Sequence, residues 1–267
     1  MQNHPCVLTI AGSDSGGGAG IQADLKAMTV LGGFGTSVIT ALTAQNGLGV
    51  TGIHAPDAAF VVQQLTTVLD GFPIRAAKTG MLFSAPIING VADVLAQQSF
   101  PLVVDPVSVS TSGHALLQQD AIDALVEKII PLAAVVTPNR PEAEMLAGMK
   151  IETEADVHLA IKRILKMGPQ AVLLKGGHLN EDEEDMADWL GVQGAEPHGL
   201  HHQRIETTNT HGTGCTLSAS IATFLAHGHD LKTAVKKAQG YLSLCLRKSY
   251  TPGEGFGPPN HAAPCES

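Results

Sequence analysis

The sequence predicts an α/β protein with a mostly parallel central sheet and helices on both faces. Three observations indicate this fold class. Short β-branched or apolar runs alternate with longer amphipathic segments along the 267 residues, as in proteins built from strand–helix–strand units. The runs 102–104 and 171–174 are entirely apolar, which is typical of strands covered on both faces. Glycine-rich or polar segments follow most of these runs.

Each element follows from the local pattern of residues. The segment 58–69 repeats apolar residues with helical spacing, from Phe60 to Val68, and Pro86 suits the first turn of the helix predicted after it. The predicted strands are 7–11, 37–42, 76–78, 102–104, 134–136 and 171–174. The predicted helices are 21–31, 58–69, 86–97, 120–130, 141–146, 155–167, 214–226 and 231–247. No linker-like boundary and no internal repeat separates them.

The composition excludes several classes of protein. Sixteen Lys and Arg residues against 25 Asp and Glu residues give a formal charge of −9, and 44% of the residues are hydrophobic. This balance argues against wholesale disorder and against the basic stripe of a nucleic-acid-binding protein. The four cysteines, Cys6, Cys215, Cys245 and Cys265, have no Cys-x-x-Cys spacing, so we expect neither a zinc knuckle nor a disulfide framework.

The sequence shows no secretory signal and no apolar run long enough for a membrane span. We therefore expect a reduced, cytoplasmic protein with a small-molecule substrate and no nucleic-acid or membrane partner. The pair His201-His202 is expected on an exposed strand or loop. The acidic run 181–185 is expected to be a solvated loop, with divalent-cation binding as the alternative.

The segments that follow the predicted strands are expected to lie at one edge of the sheet. The carboxyl ends of parallel strands meet at this edge, and ligands bind there. The segments are 12–20, 45–46, 78–80, 105–113, 137–142 and 175–178.

The first of them, 12–20, is a glycine-rich turn between a strand and a helix. Glycines let the backbone approach a ligand closely and present its N–H groups. The turn matches the dinucleotide fingerprint only loosely, because no acidic residue occurs between Asp24 and Asp57, where a nicotinamide-binding fold needs one. The sequence also lacks the Gly-Lys pair of a P-loop. A tight turn without a ligand is the alternative interpretation.

A second glycine-rich segment, 209–215, leads into the predicted helix 214–226. The unpaired N–H groups and the positive end of the helix dipole favour an anion there, including a phosphoryl group in transfer. Cys215 lies at the start of this helix, so we expect the pKa of its thiol to be lowered. A buried structural cysteine is the alternative.

Two carboxylates and one ammonium group follow other strands. Asp105 and Glu142 fit a Mg²⁺ site, because this ion takes one or two carboxylates together with phosphate oxygens and water. Each of them alone is better explained as a helix cap or an ordinary surface residue. Lys175 ends a strand and is placed to reach a phosphate as a point charge.

Several motifs, in order along the chain, resemble one family. They are Ala11-Gly-Ser-Asp-Ser-Gly-Gly-Gly-Ala-Gly-Ile-Gln-Ala-Asp-Leu-Lys26, Thr43-Ala-Gln-Asn46, Lys78-Thr-Gly-Met-Leu82, Val104-Asp-Pro-Val107, Thr137-Pro-Asn139, Lys175-Gly-Gly-His178 and Thr210-His-Gly-Thr-Gly-Cys-Thr216. The chain resembles the bacterial hydroxymethylpyrimidine/phosphomethylpyrimidine kinases of thiamine biosynthesis, which belong to the ribokinase-like superfamily. The resemblance extends over nearly the whole chain.

The resemblance implies a single ribokinase-like domain over residues 1–267, a three-layer sandwich that is usually a homodimer. It implies that the γ-phosphoryl group of ATP is transferred twice. The first acceptor is the hydroxymethyl group of 4-amino-5-hydroxymethyl-2-methylpyrimidine, and the second is the resulting monophosphate. ATP and Mg²⁺ are the implied cofactors.

The resemblance also implies roles for individual residues. Those implied in substrate binding are Gly12, Asp24, Gln45, Met81 and Val107. Those implied in catalysis are Gly212, Thr213, Gly214 and Cys215, which form an anion hole in which Cys215 is the base. Those implied in nucleotide binding are Asn139, Lys175 and Thr210. Asp105 and Glu142 are implied in binding Mg²⁺, directly or through water.

The chain departs from the family in two places. The segment 108–111 lacks the basic residue that is usual there, and the tail 253–267 differs from the usual ending, so we expect a frayed terminus. A pyridoxal kinase of the same superfamily is the main alternative, against which Gln45 argues. A hydrolase that uses Cys215 with His211 and a non-catalytic vitamin-binding protein are further alternatives.

Overall fold

The computed structural model describes residues 4–107, 119–176 and 185–266, without the side chains of Gln119 and Asp185. The strands are β1 (Cys6–Asp14), β2 (Phe34–Asn46), β3 (Gly49–His54), β4 (Ile74–Thr79), β5 (Leu102–Val104), β6 (Val135–Val136), β7 (Ala171–Leu174), β8 (Asp185–Val192) and β9 (His198–Gln203). The helices are α1 (Gly20–Val30), α2 (Ala58–Gly71), α3 (Ala85–Leu95), α4 (Gln119–Ala124), α5 (Arg140–Ala147), α6 (Glu154–Leu165), α7 (Thr213–Ala226) and α8 (Leu231–Arg247).

All nine of these strands form one sheet in the order β3-β2-β1-β4-β5-β6-β7-β8-β9. The strands from β2 to β7 in this order pair in parallel. Strand β3 at one edge, and the hairpin β8–β9 at the other, pair antiparallel. The predicted fold class is thereby confirmed.

Helices cover both faces of the sheet and enclose two hydrophobic cores. On one face, the apolar sides of α2 to α6 pack on alternate residues of the strands. On the other face, α1, α7 and α8 pack on the remaining ones. Neighbouring strand residues such as Val103 and Val104 thus enter different cores, because side chains alternate along a strand. Within the described residues, no helix is both long enough and apolar enough to cross a membrane.

The three antiparallel strands were not among the predicted elements. Strand β3 contains two glycines and is largely exposed, so it has no apolar run to reveal it. In β9, the pair His201-His202 lies on a partly exposed strand, as predicted. The helix predicted over 120–130 is α4 followed by a π-helical turn, Leu125–Ile129, and a short 3₁₀ turn. Pro131 stands in that 3₁₀ turn, where its ring and its missing N–H end the α-helical pattern.

The expectation of a frayed C-terminus is wrong. Asn260, His261 and Ala263 are buried. The Tyr241 hydroxyl of α8 donates to the His261 carbonyl oxygen at 2.9 Å, and the Asn260 N–H donates to the Cys245 carbonyl oxygen at 3.0 Å. Hydrogen bonds from α8 therefore hold this segment in place, a long-range feature that the local sequence does not reveal.

A buried ion pair fixes α1 to the sheet. Lys78 of β4 and Asp24 of α1 are both fully buried, and the Lys78 Nζ lies 3.1 Å from both carboxylate oxygens. The Thr9 hydroxyl donates to the same carboxylate at 2.6 Å. Burial alone would lower the pKa of Lys78, but attraction to Asp24 raises it above its usual value. The ammonium group is therefore charged.

We predict that Lys78→Met lowers the free energy of unfolding by about 3–5 kcal/mol, because it leaves the Asp24 carboxylate buried without its counter-ion. Adding Asp24→Asn in the same chain should restore much of this loss. Urea denaturation measures both values.

The matched control is Lys162→Met, which removes the largely exposed pair of Lys162 with Glu196. It should cost less than about 1 kcal/mol. A loss at Lys78 no larger than that of the control would contradict this view of the buried pair.

Candidate active site

A cavity of about 1200 Å³ opens at the carboxyl ends of the parallel strands. The segments that were predicted to share this edge do so, as far as they are described. The predicted site residues that line the cavity are Gly12, Gln45, Met81, Val107, Asp105, Asn139, Glu142, Lys175, Thr210, Gly212, Thr213, Gly214 and Cys215. Residues 108–113 and 177–178, which the predicted edge also included, lie outside the described residues, as does most of the acidic run 181–185.

Asp14 holds the first glycine-rich turn in shape. Its carboxylate accepts hydrogen bonds from the backbone N–H groups of Gly16, Gly18 and Ala19 at 2.8–3.0 Å, and it lies 2.9 Å from the His211 Nε2. Burial alone would raise the pKa of Asp14, but these hydrogen bonds lower it below its usual value. The turn is thus wound around a buried carboxylate.

His211 connects this turn to the second glycine-rich segment and to Gln45. Its Nε2 lies 2.9 Å from the Asp14 carboxylate and 3.3 Å from the Gln45 side-chain nitrogen. The Gln45 side-chain oxygen accepts a hydrogen bond from the Thr43 hydroxyl at 3.0 Å. This network therefore joins residues of β1 and β2 to the segment that precedes α7.

The two glycine-rich segments approach each other so closely that side chains would not fit. A Cβ atom on Gly212 would overlap the Gly18 carbonyl oxygen, and one on Gly18 would lie 2.5 Å from the His211 ring. Gly212 also has a φ of +82°, which favours glycine. Both positions require glycine for steric reasons.

The first turn of α7 lines the cavity, and of its N–H groups that of Thr213 donates to the Thr210 carbonyl oxygen at 3.2 Å. Gly212 precedes the helix, and Thr213, Gly214 and Cys215 form its first three positions, where N–H groups have no partner in the helix. A Cβ atom on Gly214 would lie 3.3 Å from the Lys175 Nζ and 3.4 Å from an Asp105 carboxylate oxygen. This anion loop, residues 212–215, therefore faces both a cation and a carboxylate.

The predicted lowering of the Cys215 pKa is wrong. Burial raises the pKa of the Cys215 thiol to about 11, although attraction to the Lys78 ammonium partly offsets this effect. The negative charges of Asp24 and Asp105 raise it further. The position at the helix start does not outweigh this environment, so the thiol is protonated at neutral pH.

Lys175 and Asp105 form a second ion pair at the base of the cavity. The Lys175 Nζ lies 2.9 Å from the Asp105 carboxylate, which also accepts a hydrogen bond from the Thr137 hydroxyl at 3.1 Å. Burial alone would raise the pKa of Asp105, but Lys175 and Lys78 lower it. Lys175 has a raised pKa because attraction to Asp105 and Glu142 outweighs its burial.

Asn139 and Glu142 cap α5 at the edge of the cavity. The Asn139 side chain accepts from the Glu142 N–H, and the Glu142 carboxylate accepts from the Asn139 N–H, both at 2.9 Å. This is a capping box. The helix-cap interpretation of Glu142 is therefore confirmed, and the cap orients both side chains beside Lys175.

Asp24 does not lie where direct substrate binding requires. It is fully buried, does not line the cavity, and binds Lys78 and Thr9 below the glycine-rich turn. The structure therefore corrects the expected direct contact, and Asp24 acts on the site through its ion pair with Lys78 and through the effect of its charge on Cys215.

The far wall of the cavity, which β8, β9 and α8 form, was not predicted from the sequence. Asp188 is its centre: its carboxylate accepts from the Gly176 N–H at 2.8 Å and from the Gln239 side chain at 2.7 Å, and lies 3.4 Å from the His202 Nε2. Burial alone would raise the pKa of Asp188, but the bonds to His202 and Gly176 lower it. The pair of histidines was the only signal in the sequence.

Comparisons with known proteins agree with this geometry. The hydroxymethylpyrimidine/phosphomethylpyrimidine kinase of Haemophilus influenzae is 47% identical over 265 residues, 98% of each chain. The thiamine biosynthesis bifunctional protein ThiED of Geobacter sulfurreducens is 48% identical over 97% of this chain. The match covers 53% of that relative, so this chain spans about half of its length. The solved ADP complex of Bacillus subtilis pyridoxal kinase superposes with a TM-score of 0.89 at 35% identity, covering 98% of this chain and 99% of that one.

The family described as phosphomethylpyrimidine kinase matches residues 14–260. This match covers most of the chain and includes strands β2 to β9, the second glycine-rich segment and most of the residues that line the cavity. The chain belongs to the phosphomethylpyrimidine kinase family.

Proposed function

We propose that the protein transfers the γ-phosphoryl group of ATP first to a hydroxymethyl aminopyrimidine and then to the resulting monophosphate, as a step in thiamine biosynthesis. One observation carries this proposal. The Gln45 amide and the anion loop 212–215 line the same cavity. His211, which immediately precedes this loop, contacts both Asp14 and Gln45. A flat heterocycle and a triphosphate can therefore meet there.

The half of the cavity that we assign to the pyrimidine contains the Gln45 amide together with apolar side chains. A side-chain amide offers one donor and one acceptor, which match the amino group and the ring nitrogen of an aminopyrimidine edge. Gln45 is oriented by Thr43 and His211. Met81 and Val107 line the cavity as well and supply the apolar contact for the ring.

The phosphate half combines N–H groups with a cation. The anion loop presents the N-terminal N–H groups and positive dipole end of α7, which stabilise charge on a phosphoryl group in transfer. Lys175 adds a point charge beside Gly214. We assign Asn139 and Thr210, which line the same region, to the nucleotide phosphates.

The carboxylates of Asp105 and Glu142 fit a Mg²⁺ ion that arrives with ATP. Within the described residues, no group of three or more His, Cys, Asp or Glu side chains could form a metal cage. Mg²⁺ needs no such cage, since it keeps several waters and takes one or two carboxylates together with substrate phosphates. When bound, the ion neutralises phosphate charge. Asp105 already binds Lys175 and Thr137, so we assign it a contact through water.

The two acceptors differ in their need for a base. In the first transfer, the hydroxymethyl oxygen bonds to the γ-phosphorus, the bond from that phosphorus to the β,γ-bridging oxygen breaks, and the hydroxyl proton must leave. We assign this proton to the thiolate form of Cys215, which is a small fraction at neutral pH because the pKa of the thiol is raised to about 11. In the second transfer the acceptor is already a phosphate oxygen, so positioning and charge neutralisation do most of the work.

Pyridoxal phosphorylation is a second candidate activity. The similarity to the pyridoxal kinase structure is high, and pyridoxal also presents a hydroxymethyl group on a flat nitrogen heterocycle. The Gln45 amide favours an aminopyrimidine edge, because a ring that lacks the amino group cannot make both of the hydrogen bonds that this amide offers. The homodimer and the cytoplasmic location remain predictions.

Coupled ATP-consumption assays test the function directly. The purified chain should consume ATP with the hydroxymethyl aminopyrimidine and with its monophosphate, and removal of Mg²⁺ by EDTA should abolish both rates. We expect kcat/KM for pyridoxal to be lower by about tenfold or more. ATP consumption with pyridoxal alone would favour the second candidate. Binding of the pyrimidine without ATP consumption would favour a non-catalytic protein.

Replacing Cys215 should separate the two transfers. Cys215→Ala is expected to reduce kcat for the first transfer much more than for the second, because only the first releases a hydroxyl proton. The thiol pKa of about 11 implies that the thiolate fraction rises about tenfold per pH unit between pH 7 and pH 9. The wild-type first-transfer rate should follow this rise, and the variant rate should not. Single-turnover kinetics with each acceptor measure all four rates.

Two results would exclude Cys215 as the proton acceptor. One is an equal loss of both transfers in the variant. The other is a wild-type pH profile that is the same for both acceptors.

A further inference from the structure

The closing segment, residues 251–263, contacts two of the residues that precede the anion loop, Asn209 and His211. The His211 N–H donates to the Gly257 carbonyl oxygen at 3.1 Å. The Asn209 side-chain oxygen accepts from the Gly257 N–H at 3.2 Å and from the Thr251 hydroxyl at 2.8 Å. Residues that follow α8 thus hold the residues that precede α7.

A third contact reaches the anion loop itself through a buried chain of hydrogen bonds. The His261 Nε2 lies 2.9 Å from the Thr216 hydroxyl, which donates to the Gly212 carbonyl oxygen at 2.8 Å. His261 is 5% exposed and Thr216 is fully buried. The Tyr241 hydroxyl fixes the backbone of His261 from α8.

The Gly212 carbonyl oxygen determines how α7 begins. It accepts the first hydrogen bond of the helix, from the Thr216 N–H at 2.9 Å, in addition to the Thr216 hydroxyl. Gly212 has no side chain to restrict its backbone, and its φ is positive. The direction of its carbonyl group therefore depends on these two hydrogen bonds from Thr216. The N–H groups of Gly214 and Cys215 belong to this same first turn.

We propose that His261 is a positioning residue for phosphoryl transfer, which acts through Thr216 and the Gly212 carbonyl to fix the direction of the N–H groups of the anion loop. This inference rests on the proposed kinase function. It makes His261 part of the active-site structure, although none of the residues 251–263 lines the cavity.

The His261 ring acts by geometry and not by charge. Burial, with a smaller contribution from repulsion by Lys26, lowers the pKa of His261 to about 4. The ring is therefore neutral at neutral pH. A neutral amide at the same place should substitute for it, since an amide side chain also donates and accepts.

His261→Ala should lower kcat for both transfers by about 10- to 100-fold, because small displacements of preorganised donors are costly. KM for the pyrimidine should change less than about threefold, since its half of the cavity lies elsewhere. His261→Gln should keep kcat within about threefold of the wild type. Thr216→Val should reproduce the loss, and the double variant His261→Ala/Thr216→Val should lose no more than either alone.

Asn260→Ala is the matched control. Asn260 is equally buried, and its side chain binds Glu266 and the Ala262 N–H but not the anion loop. It should lower the Tm without lowering kcat of the folded protein. If kcat of His261→Ala and Thr216→Val equals that of the control, the inference is wrong. If His261→Ala fails to fold, Thr216→Val alone decides. A wild type without kinase activity would refute the proposed function instead.

Discussion

The site depends on one steric constraint, the contact between the backbones of Gly18 and Gly212. These residues belong to the two glycine-rich segments that open α1 and α7, almost two hundred positions apart in the sequence. A Cβ atom on Gly212 would overlap the Gly18 carbonyl oxygen, so only glycine permits the segments to meet. Because they meet, His211 reaches both Asp14 and Gln45. The same contact therefore places the Gln45 amide and the loop 212–215 in one cavity.

Two ion pairs, each of one ammonium group and one carboxylate, lie around this contact. Lys78 pairs with Asp24 below the first glycine-rich turn, and Lys175 pairs with Asp105 below the anion loop. Each ammonium group is kept charged by its carboxylate, and the charge of Lys78 partly offsets the effect of burial on the Cys215 pKa. A site for a highly charged substrate needs groups that are fixed before the substrate arrives, because they then need no reorganisation during the reaction. The buried ion pairs supply such groups.

The sequence predicts the parallel part of the fold because its strands are short apolar runs separated by helical repeats. It also predicts most of the cavity, since residues such as Asp105 and Lys175 follow those strands directly. Strands β3 and β9 are not predicted because their residues are polar, exposed or glycine-rich, and β8 is not predicted because Asp188 and Gly191 interrupt its apolar residues. The Cys215 pKa and the place of Asp24 depend on burial, which local patterns do not reveal. His261 depends on a tertiary contact with α7, so only the structure connects it to the site.

A crystal structure with the hydroxymethyl aminopyrimidine and a non-hydrolysable ATP analogue tests the central claim most directly. We expect the amino group and ring nitrogen of the pyrimidine to bind the Gln45 amide, and the γ-phosphate to bind the N–H groups of Gly214 and Cys215. The hydroxymethyl oxygen should then lie about 3–3.5 Å from the γ-phosphorus. A pyrimidine bound away from Gln45, or a triphosphate that ends outside the anion loop, would contradict it.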